Sequence, residues 1–167
     1  MAKDAVHAMR GHLLDAFLLR PVPLATDSER KRNSNPRKLY PADAGIIKAF
    51  DASGRANVGH ALETVVLNEL ERRNAGVGYV RTGDGLEVDF LVRHRAAGEE
   101  LIQVCADLAA PETLSRELSA LLAAAKEYPR AARRMLVLDR DARTRVSSRT
   151  VEVQPAYEWL LSTPGED

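Results

Sequence analysis

Two apolar runs, Val77 to Arg81 and Leu86 to Val92, stand on either side of Gly83-Asp84-Gly85, and this arrangement constrains the fold more than any other feature of the chain. Glycine and aspartate between β-branched and aromatic stretches form a strong turn signal, so the pair predicts a β-hairpin. Leu101 to Cys105 reads as a third short strand. In alternating strands Glu87 and Asp89 share one face and Gln103 and Cys105 share one, while Val88, Phe90, Ile102 and Val104 point the other way. A half-buried sheet would then present polar groups at a few chosen points.

Helical patterns flank these strands. Residues 4 to 19 place Val6, Met9, Leu13, Leu14, Phe17 and Leu18 at helical spacing before Arg20-Pro21, and so short an amphipathic helix needs a partner surface. Residues 21 to 38 hold three prolines together with Arg30, Lys31, Arg32, Arg37 and Lys38, and read as a basic loop or linker. Ala42 to Ala49 reads as a short helix, Asp51 to Gly54 as a turn, and Gly59 to Arg73 as a longer helix that ends at Asn74-Ala75-Gly76. Pro111 suits the first turn of a helix running to about Tyr128, which Pro129 stops. Met135 to Leu138 is a buried strand, Val151 to Val153 a further one, and Tyr157 to Leu161 a last apolar turn. The expected fold class is α/β, with residues 1–38 as an N-terminal helix and basic linker and residues 39–167 as the main domain.

Charge and cysteine usage narrow the function classes. The 24 basic and 24 acidic residues cancel, so any nucleic-acid contact must come from a local patch. A single cysteine excludes an intrachain disulfide framework and a thiolate-rich zinc site, which fits a reducing cytoplasm. No apolar run approaches a membrane span, and the N-terminus lacks a signal-peptide core. The expected location is cytoplasmic.

Four stretches carry a family resemblance: Asn35-Pro36-Arg37-Lys38-Leu39-Tyr40-Pro41-Ala42-Asp43, Gly59-His60-Ala61-Leu62-Glu63, Glu87-Val88-Asp89-Phe90 and Thr113-Leu114-Ser115-Arg116-Glu117. Together they resemble the C-terminal domain of unknown function (family 4143) that follows an AAA-type ATPase, over roughly residues 15 to 162. The order Glu63, Asp89, Gln103-x-Cys105 is also similar to the PD-(D/E)XK nuclease superfamily, with its second acid replaced by Gln103 and its lysine by Cys105. The resemblance implies a restriction-endonuclease-like mixed sheet flanked by helices. It also implies an ATPase module in cis or in trans, since the chain has no G-x-x-x-x-G-K-[ST] loop of its own.

Within that frame Glu63, Asp89 and Gln103 are the candidate catalytic residues, and Glu63, Glu87 and Asp89 the candidate ligands for Mg²⁺ or Mn²⁺, which favour hard oxygen donors. A cysteine cannot replace an ammonium that positions water and stabilises developing charge. Cys105 is either a nucleophile awaiting a base or a small buried residue, and no histidine is spaced to serve it. Glu69 falls on the apolar arc of its helix, which suggests a structural pair with an arginine, whereas Glu71 points outward. Arg72 and Arg73 would answer the helix C-terminal dipole. The candidate nucleic-acid residues are Arg30, Lys31, Arg32, Arg37 and Lys38; Arg130, Arg133, Arg134, Arg140, Arg143, Arg145 and Arg149 form a second basic set. The leading expectation is a nuclease-like accessory domain with an impaired site that contacts nucleic acid. The alternatives are an active divalent-metal nuclease and a protein-interaction module, including a homo-oligomer joined through the N-terminal helix.

Overall fold

A computed structural model of the chain describes residues 3–51, 57–95, 98–108, 111–141 and 150–162. In chain order the elements are α1 (Lys3–Asp15), β1 (Leu19–Val22), α2 (Glu29–Ser34), β2 (Lys38–Pro41), α3 (Ala44–Phe50), α4 (Val58–Arg72), β3 (Gly76–Arg81), β4 (Glu87–His94), β5 (Gly98–Cys105), α5 (Pro111–Glu127), β6 (Ala132–Val137), β7 (Glu152–Pro155) and α6 (Ala156–Leu161). Strands β3 to β7 form a five-stranded mixed sheet in that order. The first three are antiparallel, and β5, β6 and β7 run parallel. The fold is therefore α/β, a mixed sheet flanked by helices with a short N-terminal helix. None of the described helices is long and apolar enough to cross a membrane.

Each face of the sheet is covered by a different group of elements. On one side Leu121, Ala120 and Ala124 of α5 pack on Val88, Leu91, Leu101, Cys105 and Met135. On the other, Leu62, Val66, Leu67 and Leu70 of α4 join Trp159 of α6 and Tyr40 of β2 over Phe90, Val92, Ile102 and Val104. The predicted hairpin forms, with Gly85 at φ 81°, in the left-handed region that its turn requires. Helix α4 stops where expected: Asn74 takes φ 55° and the Ala75 N–H returns to the Leu70 carbonyl, which satisfies an orphan acceptor of the last turn.

The segment read as a basic linker is structured. Strands β1 and β2 pair antiparallel from Leu19 opposite Pro41 to Val22 opposite Lys38, with α2 between them. Beyond Val22 the chain runs alongside the sheet edge at β3, where Tyr79 N–H donates to Pro23 O and Ala25 N–H to Tyr79 O. Gly78 permits that approach, because a Cβ there would lie 3.1 Å from both Ala25 Cβ and Pro23 O. Two four-residue strands containing prolines and charges leave almost no alternation to read, yet Tyr40 is fully buried in the core.

Helix α1 also differs from expectation, ending at Asp15 instead of running to residue 19. Phe17 takes φ 57° and the Leu18 N–H reaches back to Leu13 O, so the chain turns into β1. Val6 and Met9 of its apolar stripe stay in solvent, and Phe17 just beyond the helix is 83% exposed. Of the turn expected over Asp51 to Gly54, only Asp51 lies among the described residues.

Candidate functional site

The site lies where β4 and β5 part. Their paired register begins at Phe90 opposite Ile102, so the backbone groups of Asp89 and Val104 have no ladder partner in each other's strand. Side chains complete the fork instead. Asp89 Oδ2 accepts from Val104 N–H at 3.0 Å, and Gln103 Oε1 accepts from Asp89 N–H at 3.3 Å. Two buried backbone donors are thereby satisfied, which removes the penalty of burying them bare.

A β-bulge sets the direction of the polar groups. Gly78 pairs with Leu91 and Val80 with Val88, so Asp89 and Phe90 together oppose Tyr79. The expected alternation fails at that point: Val88 joins the core under α5 and Phe90 the core under α4, whereas strict alternation would put both on one face. In β5 the alternation holds, with Ile102 and Val104 under α4 and Cys105 under α5. Gln103 follows Cys105, and its Nε2 donates to Glu117 Oε2 on α5 at 2.7 Å. A carboxylate at position 103 could not make that donation.

Strand β2 supplies what the sequence reading did not anticipate. Lys38 and Tyr40, two residues apart and so on one face of the strand, both reach the acids. Lys38 Nζ lies 3.1 Å from Asp89 Oδ1 and 3.3 Å from Glu87 Oε1, and Tyr40 Oη donates to Glu63 Oε2 at 2.8 Å. Tyr40 is stacked on His60 with ring centroids 5.1 Å apart and leans on Phe90. The hairpin is tied down on both sides of this pair: Tyr79 Oη donates to Pro36 O, and Asn68 Nδ2 to Ala42 O. Asp43, the last residue of the stretch that begins at Asn35, caps α3 by accepting from Gly45 N–H. The spacing of two between Lys38 and Tyr40 was the available signal, hidden among neighbouring arginines.

Charge at the site is unbalanced toward negative. Burial, then the neighbouring Glu63 carboxylate, pushes the Asp89 carboxyl up to about 6, although Lys38 and the Val104 N–H oppose the shift. Glu63 is also raised, chiefly by burial and against the Tyr40 hydroxyl and Lys38. Burial pulls Lys38 down, but Asp89, Glu87 and Glu63 outweigh it and hold the ammonium above its ordinary value. Asp89 rises despite its lysine partner because it is almost fully buried and a second carboxylate stands beside it. Burial and the same acids raise the Tyr40 phenol, while burial and Lys38 lower the His60 imidazole.

The remaining candidates fall in different places. Cys105 is buried, its Sγ donates to Asp107 O, and burial raises its thiol, so it behaves as a small core residue and not as a nucleophile. Glu69 is a structural pair as anticipated, bonded to Arg72 and Arg73. Arg73 is also held by Trp159 O, Ser162 O and the Trp159 ring, a specific contact that a dipole alone would not provide. Glu71 meets Arg20 in an ion pair on the surface. Arg30 and Lys31 are exposed on α2, Arg32 donates to Thr26 O, and exposed Arg37 lines a cleft of about 290 Å³ with Arg10. Lys38 points into the acids instead of toward solvent. In the second basic set Arg134 is buried against Glu100, Glu152 and Gln154, Arg140 lies over the Tyr157 ring, and Arg143, Arg145 and Arg149 lie outside the described residues.

A divalent ion at this arrangement would compete with partners already in place. Asp89 already receives Lys38 on one oxygen and Val104 N–H on the other, and Glu63 receives Tyr40. Among the described residues no group of three or more His, Cys, Asp or Glu is placed to hold a metal ion.

No curated protein and no solved structure matches the chain. A family model does match, over residues 58–159, a span that contains Glu63, Glu87, Asp89, Gln103 and Glu117 and begins after Lys38 and Tyr40. With more than half of its length matched, the chain belongs to the family described as Domain of unknown function (DUF4143).

Proposed function

We propose that the domain is a nuclease-like accessory module of an AAA-type ATPase that meets nucleic acid through local phosphate contacts and does not cleave it. The observation that carries this reading is the position of Gln103. Its amide is held between Asp89 N–H and Glu117, where it serves as a neutral bridge, and position 103 therefore offers no acid to a metal ion. Phosphodiester hydrolysis by a bound divalent ion needs oxygen ligands free to hold it and a group that positions water. Here the carboxylates are occupied by donors of the chain itself.

The expected outcome is that the purified domain, given Mg²⁺ or Mn²⁺, cleaves neither plasmid nor single-stranded DNA above a Glu63→Ala, Asp89→Ala control. Metal-dependent cleavage that disappears in the double variant would overturn the reading. One observation favours a second reading, an active nuclease. Lys38 brings an ammonium to Asp89 from β2, the group that Cys105 cannot be. Under that reading the same assay shows cleavage, and Lys38→Met abolishes it.

A further inference from the structure

We propose, on the nuclease-like reading above, that Lys38 is the site's permanent counter-ion and occupies the place a divalent cation would take, so that the domain binds no divalent ion while β2 is docked. Nζ sits 3.1 Å from Asp89, in the bulge of β4, and 3.3 Å from Glu87 just before it. An ion bridging those carboxylates would need their oxygens at about 2.1 Å if it were Mg²⁺, which puts it in ionic contact with Nζ. Two cations cannot share that position at no cost, because their repulsion at such a distance exceeds what the ammonium gains from a shared carboxylate, so one must leave for the other to enter.

Lys38 is not free to leave. Its strand is paired with β1, Tyr40 two residues on is fully buried and bonded to Glu63, and Pro36 two residues before accepts from Tyr79. Nζ lies over the Tyr79 ring, 5.6 Å from its centroid, and the side chain is 24% exposed. A cation tethered in this way has its entropy cost met by folding, whereas an ion from solution must be desolvated and then displace it. The β1–β2 hairpin and the acids are therefore one unit. Lys38 offsets part of the cluster's negative charge, and the cluster holds the hairpin on the sheet.

The test is a titration with Mn²⁺ alone, following the free-ion electron paramagnetic resonance signal, on the whole chain. The wild type is expected to leave the signal unchanged. Lys38→Met is expected to bind one Mn²⁺ at least about tenfold more tightly, since removal of a unit charge at contact distance is worth more than a tenfold step. Adding Asp89→Asn to that variant should abolish the binding. Where Lys38→Met does not fold, Lys38→Gln, which keeps a hydrogen-bond donor toward Asp89 and Glu87 without the charge, serves in its place with the same expected binding. Binding of Mn²⁺ by the wild type that is lost in Asp89→Asn overturns the proposal, and so does a folded Lys38→Met that binds none. Binding without cleavage by the wild type would sink this proposal and leave the accessory-module reading standing, whereas metal-dependent cleavage would remove both.

Discussion

Gln103→Glu places a second acid beside Glu117, and the structure predicts that it destabilises the domain. Gln103 is 5% exposed, and its Nε2 lies 2.7 Å from Glu117 Oε2, whose side chain is 12% exposed. Two carboxylates at that separation would repel by about 6 kcal/mol at an effective dielectric of about 20. Proton uptake limits the cost, since raising one carboxyl from about 4.3 to above 7 takes about 3.7 kcal/mol at pH 7. The expected loss at pH 7 is therefore about 3 to 4 kcal/mol. A folded-state pKa raised above its unfolded value contributes stability below the unfolded pKa and loses it as pH rises, so the deficit is confined to the higher range. At pH 5 it should shrink to about 1 kcal/mol, because the introduced carboxyl, once protonated, donates to Glu117 as the amide does. Urea denaturation followed through the fluorescence of Trp159, the chain's one tryptophan and a buried one, measures both values. A deficit below about 1 kcal/mol at pH 7, or one that does not narrow on acidification, refutes the bridge between Gln103 and Glu117.

Two further outcomes are expected. Glu69→Ala should cost about 3 kcal/mol because it leaves the buried Arg73 guanidinium with no counter-charge and only the Trp159 and Ser162 carbonyls, while Glu71→Ala, which loses only its half-exposed Arg20 partner, should cost about 1 kcal/mol or less in the same urea assay. The Glu69 carboxyl is held below its ordinary value, first by the hydrogen bond from Arg72, so its contribution is present above the usual carboxylate range and declines as pH falls. For nucleic acid, Arg30→Ala with Lys31→Ala should weaken DNA binding and lower the salt slope by about 1.8 in a fluorescence-anisotropy titration. Lys38→Met should leave that slope unchanged, as its ammonium is engaged with Asp89 and Glu87; a slope that falls equally would place Lys38 on the binding surface.

What the sequence disclosed and what it withheld divide along a physical line. The β3–β4 hairpin, the α4 stripe and the Pro111 helix start depend on residues close in sequence, so period and turn chemistry reveal them. The bulge at Asp89 and Phe90 does not, because one extra residue becomes visible only when the partner strand's register is known. Lys38 is hidden for a related reason: its acid partner Asp89 lies 51 residues away, and among Arg30 to Arg37 a lysine reads as one more solvated charge. The order Glu63, Asp89, Gln103, Cys105 likewise conceals geometry, since Cys105 is packed under α5 while Asp89 meets Lys38 from the hairpin side of the sheet. An ammonium at position 105 would have to be buried in that apolar layer against Leu121 and Met135, where a charge without a partner is costly. The positive charge enters instead from a strand on the opposite face, and the neutral amide at 103 turns to Glu117. The amide at position 103 and the thiol at position 105 therefore belong to one arrangement, in which the acids are satisfied from within the chain.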